Sequence, residues 1–231
     1  MTITQLDLRL PSSCRLAGTR IPAYMFRTYQ EIAQQAAATI AQVIRDRNGL
    51  GHAAVLGLVT GSTPIQVYRE LIRLHREEGL DFSNVVTFNL SEFVGLKCES
   101  DQSLRRWMEE NFFKHVNIPA ENIHFLDGAV SLAAVDEHCR DFERQIEQAG
   151  GIDVALLGIG RNGHLAFNEP FSVRNSRTRL ARLDPITRRD AGSSFFQEEN
   201  VPTSCLTAGL STIFAARKII LVALGEHKAE I

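Results

Sequence analysis

The stretch Leu157-Gly158-Ile159-Gly160-Arg161-Asn162-Gly163-His164-Leu165-Ala166-Phe167-Asn168-Glu169-Pro170 sets a histidine and then a glutamate directly behind an apolar run, Val154 to Leu157. An imidazole titrates near neutrality and can serve as a general acid or base; a neighbouring carboxylate can orient it or balance its charge. A buried strand that opens into a glycine-rich loop would hold such a pair over a small ligand, so His164 and Glu169 are the first candidates for chemistry. The plainer alternative for His164 is a core histidine satisfied by a backbone carbonyl. His52, His75, His115, His124, His138 and His227 share no spacing that would unite them. Gly158 to Gly163 also spells the G-x-G-x-x-G of a dinucleotide fingerprint. That motif needs a helix opening inside it and an acidic residue about 20 residues on. The chain runs instead into a polar, arginine-rich stretch, so dinucleotide binding is not expected.

Three further places carry candidates. Thr60-Gly61-Ser62-Thr63 follows one apolar run and precedes a helical pattern. Small residues there allow close approach, and the free N–H groups of a helix start suit a phosphate, which makes Gly61, Ser62 and Thr63 candidate phosphate ligands. An ordinary capped turn would read the same way, and no Gly-Lys-Ser/Thr follows to make a Walker loop. Ser91-Glu92 follows the run Val85 to Asn89, and a carboxylate at a strand end is a candidate base, although a lone glutamate is more often solvated. Lys228 follows the last apolar run and Gly225; it could reach a phosphate as a point charge or lie on the surface.

These candidates need elements to position them. Ile32, Ala36, Ile40 and Ile44 recur every four residues and predict a helix over 29–47. Ala53 to Val59, Val85 to Asn89, Ile123 to Leu126, Ile152 to Leu157 and Lys218 to Leu224 read as strands. Thr63 is expected as the N-cap of the second helix, with Pro64 at N1 and Gln66 completing a capping box. Further helices are expected around 103–115 and along the stripe Leu132, Val135, Cys139, Phe142 and Ile146. Strands that are apolar throughout, alternating with helices, predict a single α/β domain: a Rossmann-like parallel sheet with helices on both faces. Ligands of such sheets bind beyond the carboxyl ends of the strands, where the loops at Gly61, Ser91 and Gly160 would converge.

Composition narrows the partners. With 25 Lys+Arg against 27 Asp+Glu in 231 residues, and the basic residues scattered, neither nucleic acid nor an anionic membrane is an expected partner. No apolar run approaches the ~18 residues of a membrane span. The N-terminus lacks the apolar core of a signal peptide. The four cysteines form no C-x-x-C pair. A cytoplasmic protein with reduced thiols and no metal site is therefore expected.

Taken in order, several pieces resemble the glucosamine-6-phosphate deaminase (glucosamine-6-phosphate isomerase) family. They are Leu56-Gly57-Leu58-Val59-Thr60-Gly61-Ser62-Thr63-Pro64, Val86 to Leu96, Asn111-Phe112-Phe113, Ile118 to Ile123, the Gly158–Pro170 loop, Ser176 to Arg179 and Leu224 to Ala229. The related 6-phosphogluconolactonases share the fold, but His-Leu-Ala-Phe-Asn-Glu-Pro sides with the deaminases. The likeness runs from about residue 29, which sets 1–24 apart as an N-terminal extension and 25–231 as the deaminase-like domain, shorter at its C-terminus than the family. It implies conversion of an amino-sugar phosphate, glucosamine 6-phosphate, to fructose 6-phosphate and ammonia, without metal or cofactor. In it, the histidine matching His164 helps open the ring and Glu169 partners it. The Gly61–Thr63 turn and Lys228 match phosphate-binding positions. Members are often homo-oligomers, so self-association is expected. Four departures touch the site. Ser91 stands where the family has the proton-transfer aspartate, and Asn162 stands where it has the aspartate before Gly-His. Ser194 replaces a phosphate-binding arginine, for which Arg188 or Arg189 could substitute. Leu104 and Arg105 replace a tyrosine. A serine is too weak a base unaided, and Glu92 is the candidate substitute, although in an extended chain it would face away from Ser91.

Overall fold

The computed structural model describes residues 14–228 and residue 231. Residues 1–13 of the expected extension lie outside the described residues. Its remainder holds a two-stranded antiparallel pair, β1 (Cys14–Arg15) and β2 (Tyr24–Met25), exposed on both strands. Helix α1 (Tyr29–Gly49) opens on a capping box: the Thr28 hydroxyl accepts from Glu31 N–H, and the Glu31 carboxylate accepts from Thr28 N–H. Then come β3 (Ala54–Leu58), α2 (Ile65–Glu78), β4 (Val85–Asn89), β5 (Ser91–Phe93), α3 (Leu104–Asn111), β6 (Ile123–His124), α4 (Val135–Gln148) and β7 (Val154–Gly158). The chain continues through β8 (Arg179–Arg182), α5 (Pro185–Ala191), β9 (Ser204–Thr207), α6 (Leu210–Phe214) and β10 (Lys218–Val222).

Five strands form a parallel sheet in the order β10-β7-β3-β4-β6. Its two faces are separated by the alternation of side chains along a strand. Ala54, Leu56, Leu58, Val154 and Leu156 pack with Ile40, Ile44, Val67 and Leu71 of α1 and α2. Val55, Phe88, Ala155 and Leu157 pack with Cys139, Phe142 and Ile146 of α4 and Ile213 of α6. Burial on both faces is why β3 reads as an unbroken apolar run. The edge strand β10 departs from that rule, with Ile219 and Leu221 exposed.

Four expectations need correction. Helix α2 starts one residue late: Pro64, not Thr63, is its N-cap, with no side-chain cap bond, since a proline offers none, and the Thr63 side chain lies near Gly158 at the end of β7. Leu132 precedes α4 and is exposed rather than part of its buried stripe. The helix expected over 103–115 stops at Asn111 and gives way to a single 3-10 turn, Phe113–His115. A second, antiparallel sheet in the order β5-β9-β8 was not legible. It leaves the first at Leu90, whose N–H donates to Leu58 O and whose carbonyl accepts from Ala208 N–H.

One buried carboxylate ties four elements together below the strands. Asp153 Oδ2 accepts from Val55 N–H at 2.9 Å and lies 3.2 Å from Arg47 of α1, while Oδ1 accepts from Arg217, beside β10, at 3.1 Å. Asp153 is buried while Arg47 and Arg217 keep contact with water, so the group left unpaired by its removal is the Val55 N–H. Asp153→Ala should therefore cost about 1–3 kcal/mol of stability, read as a lower urea midpoint with an unchanged slope.

Candidate active site

Strands β7, β3 and β4 lie side by side, so the turns after them meet at one edge of the sheet. The turn after β7 is built around the His164 ring. Gly160 N–H donates to His164 O at 3.0 Å, and a methyl group on Gly160 would lie 2.2 Å from two atoms of the imidazole. The glycine of the apparent dinucleotide fingerprint is thus a seat for the histidine. No helix opens inside the motif; the chain makes a tight reversal in which Asn168 N–H donates to Leu165 O, with Ala166 at φ 51°. Left-handed backbone on a residue other than glycine is strained and is held only by its surroundings. Here Phe167 N–H donates to Thr207 Oγ1, and Arg179 donates to Asn168 Oδ1 at 2.8 Å.

His164 Nδ1 lies 2.8 Å from Asn162 Oδ1, 3.1 Å from Thr187 Oγ1 and 3.5 Å from Glu169 Oε2. Asn162 Nδ2 and Thr187 Oγ1 both donate to Glu169 Oε2, at 2.8 and 3.1 Å, and Asp184 N–H donates to Oε1 at 3.2 Å. A carboxylate only accepts, so the Asn162 amide nitrogen must face Glu169 and its oxygen must face the histidine. That oxygen also only accepts, so Nδ1 carries the proton and Nε2 keeps its lone pair as the basic atom. Burial acts to raise the Glu169 carboxyl. The hydrogen bonds from His164, Asn162, Thr187 and Asp184 outweigh it and hold the group below the usual carboxylate range. Asn162 supplies no charge of its own, but it relays that of Glu169.

Ser91 and Glu92 lie on strand β5, so their side chains point to opposite faces. Ser91 pairs across the sheet with Thr207, which in turn pairs with Arg179. That row faces the His164 loop, since Phe93 on the same face packs 5.1 Å from the Phe167 ring. Glu92 points away. Its carboxylate accepts from Phe93, Leu104 and Arg105 N–H and from the Ser103 hydroxyl, at 2.8 to 3.0 Å. Four donors fill its lone pairs and close the N-terminus of α3, which makes Glu92 an anchor rather than a poised base. Burial pushes its carboxyl up, against those four donors.

The turn after β3 carries Gly61 at φ 123°, a backbone only glycine adopts freely, and Thr63 packs against Gly158. Lys228 lies beside the His164 loop: Ile231 N–H donates to Lys228 O, and the Ile231 side chain touches Gly163. Burial lowers its ammonium, Asp190 acts to raise it and Arg161 lowers it further. Arg161 and Asp190 form a two-point ion pair there, with Nε 2.9 Å from Oδ2. Arg188, expected as a substitute for the missing arginine, instead donates to the carbonyls of Val201 and Glu198, and Arg189 pairs with Glu198. Sequence reasoning missed Thr187 and Arg161. A hydroxyl 23 residues from His164 carries no sequence signal, whereas Arg161 inside the glycine loop did offer one. Among the described residues no group of three or more His, Cys, Asp or Glu is placed to hold a metal ion. No helix among them is long and apolar enough to cross a membrane.

A family model described as glucosamine-6-phosphate isomerases/6-phosphogluconolactonase matches residues 27–231. The chain belongs to this family. Glucosamine-6-phosphate deaminase 2 of Giardia intestinalis is 50% identical over 208 residues, 89% of this chain and 76% of the relative. The glucosamine-6-phosphate deaminase of Clostridium acetobutylicum is 46% identical over 204 residues, 87% and 81% of the two. Among solved structures, a monomeric glucosamine-6-phosphate deaminase superposes with a TM-score of 0.83 at 39% identity, covering 88% of this chain and 82% of the other. A 6-phosphogluconolactonase from Thermotoga maritima gives 0.60 at 21% identity, covering 84% and 83%, a likeness of fold alone.

Two outcomes follow from the His164 seat. Gly160→Ala should push the ring off Asn162, read as a changed imidazole 15N spectrum, and should lower any turnover by roughly 100-fold. Because the folded Glu169 carboxyl is held below its unfolded value, its stabilisation is complete above the ordinary carboxylate range. It is lost as pH falls through the depressed folded value. Acid unfolding of Glu169→Gln should accordingly show a shallower pH dependence than that of the unaltered chain.

Proposed function

We propose that this chain acts on glucosamine 6-phosphate as a deaminase-type enzyme, isomerising aldose to ketose with release of ammonia. The observation that carries the reading is the His164 network: one ring nitrogen fixed by Asn162, a carboxylate behind it, and the other nitrogen left as a base at the carboxyl edge of a parallel sheet. In this reading His164 moves the proton between the anomeric hydroxyl and the ring oxygen, and Glu169 stabilises the imidazolium. The Gly61–Thr63 turn and Lys228 take the phosphate. Residues of this chain alone carry the acid–base work, with no cofactor. The reading is supported by relatives named as deaminases at 46–50% identity.

After ring opening, the C2 proton must still reach C1. Ser91 faces the His164 loop from the position of the family's aspartate, and Glu92 is turned away. A missing general base costs about 10²–10⁴-fold, so deamination by the unaltered chain should be slow by that factor. The same observation favours a second reading: a sugar-phosphate-binding protein of this fold that does not turn over.

Ammonia release from glucosamine 6-phosphate, beside calorimetric binding of the same sugar, separates the two. Slow release that disappears in His164→Ala and rises in Ser91→Asp supports the enzyme. Tight binding with no release in either protein moves the assignment to the binder, and no binding at all overturns the site.

A further inference from the structure

The phosphate turn is held from behind by two tyrosines. Tyr68, fully buried on α2, donates to Val59 O at 2.6 Å, just before the turn begins. Tyr29 reaches it from the first residue of α1, its hydroxyl 2.5 Å from Ser62 O and 2.8 Å from Thr63 O. One hydroxyl hydrogen is shared between two carbonyls. Tyr29 is itself fixed, because the capping box of Thr28 and Glu31 closes around the start of its helix.

The consequence lies in the peptide between Ser62 and Thr63. The peptides here are trans, so its C=O and N–H point in opposite directions. Turning Ser62 O toward Tyr29 aims the Thr63 N–H away from α1. The Thr63 side chain meets Gly158, so the site lies on that far side. The next peptide joins Thr63 to Pro64 and has no N–H to offer, so its only polar group toward an anion would be the Thr63 carbonyl. Two carbonyl dipoles facing a phosphate dianion would repel it, and both are held back by one phenol.

We propose that Tyr29 is a positioning residue for the phosphate: it rotates the Ser62 and Thr63 carbonyls away from the anion, leaving a backbone N–H directed at it. The proposal rests on the reading of the Gly61–Thr63 turn as the phosphate end of the site. Burial raises the phenol above its ordinary value, with Gln66 and Arg69 opposing, so it remains a donor at neutral pH.

Tyr29→Phe keeps the ring and removes the hydroxyl. Calorimetry with glucosamine 6-phosphate and with inorganic phosphate, well below both melting temperatures, reads the effect. The expected result is a Kd about tenfold higher for both anions. Where ammonia release is measurable, KM should rise by the same factor with kcat within twofold of the unaltered chain. A Kd within twofold of the unaltered protein, whatever happens to Tm, overturns the role of Tyr29. If the unaltered protein binds neither anion while Lys228→Ala also changes nothing, the phosphate reading of the turn fails instead.

Discussion

The architecture of the site follows from one half-buried carboxylate, Glu169, and the partners it gathers. Glu169 accepts from the Asn162 amide, the Thr187 hydroxyl and the Asp184 backbone, and sits 3.5 Å from the His164 ring. An ionised carboxylate out of water is tolerable only with such partners. Those partners come from the glycine loop, from the cap of α5 and from within α5. Satisfying Glu169 therefore docks α5 on the loop, sets the Asn162 amide one way round and settles which histidine nitrogen is basic. The strained reversal at Ala166 is held by the same consolidation, with Thr207 and Arg179 bracing its far side.

The parallel sheet contributes adjacency. Because β7, β3 and β4 are neighbours, the His164 loop, the Gly61–Thr63 turn and the Ser91 strand end share one edge although about 100 residues separate the first from the second. The antiparallel sheet contributes direction. It takes the chain after β4 and fixes residues 91–93 as extended strand, which decides that Ser91 faces the loop and Glu92 does not. The glutamate with the better chemistry by residue type is thereby given to the N-terminus of α3, and the serine faces the His164 loop.

Much of this was legible in the residues. The apolar runs and four-residue stripes located β3, β4, β7, α1 and the body of α4, because burial on both faces of a parallel sheet leaves a strong local pattern. Strands β8 and β9 were not legible: Arg-Leu-Ala-Arg and Ser-Cys-Leu-Thr are short, and the pairing of β9 with β5 depends on contacts across more than 100 residues. Thr63 has the composition of an N-cap, but in the fold its side chain lies near Gly158 and Pro64 takes the cap position, which no local rule contains. His164, Asn162 and Glu169 share one short loop and could be grouped by eye. Thr187, Arg161 with Asp190, and Tyr29 enter through tertiary contacts.

The sequence alone determined the α/β class, the family, and the residue types available at the carboxyl edge, Ser91 and Asn162 among them. These are properties of local pattern and of residue identity. Only the tertiary structure decided which of those residues meet. It turned Glu92 into a cap, gave Arg188 to two backbone carbonyls, set Arg161 beside Lys228, and bonded the Tyr29 hydroxyl to the Ser62 and Thr63 carbonyls. The reason is physical: hydrogen-bond donors and buried charges are satisfied by whatever group the packed fold brings within about 3 Å, and that proximity is not written along the chain.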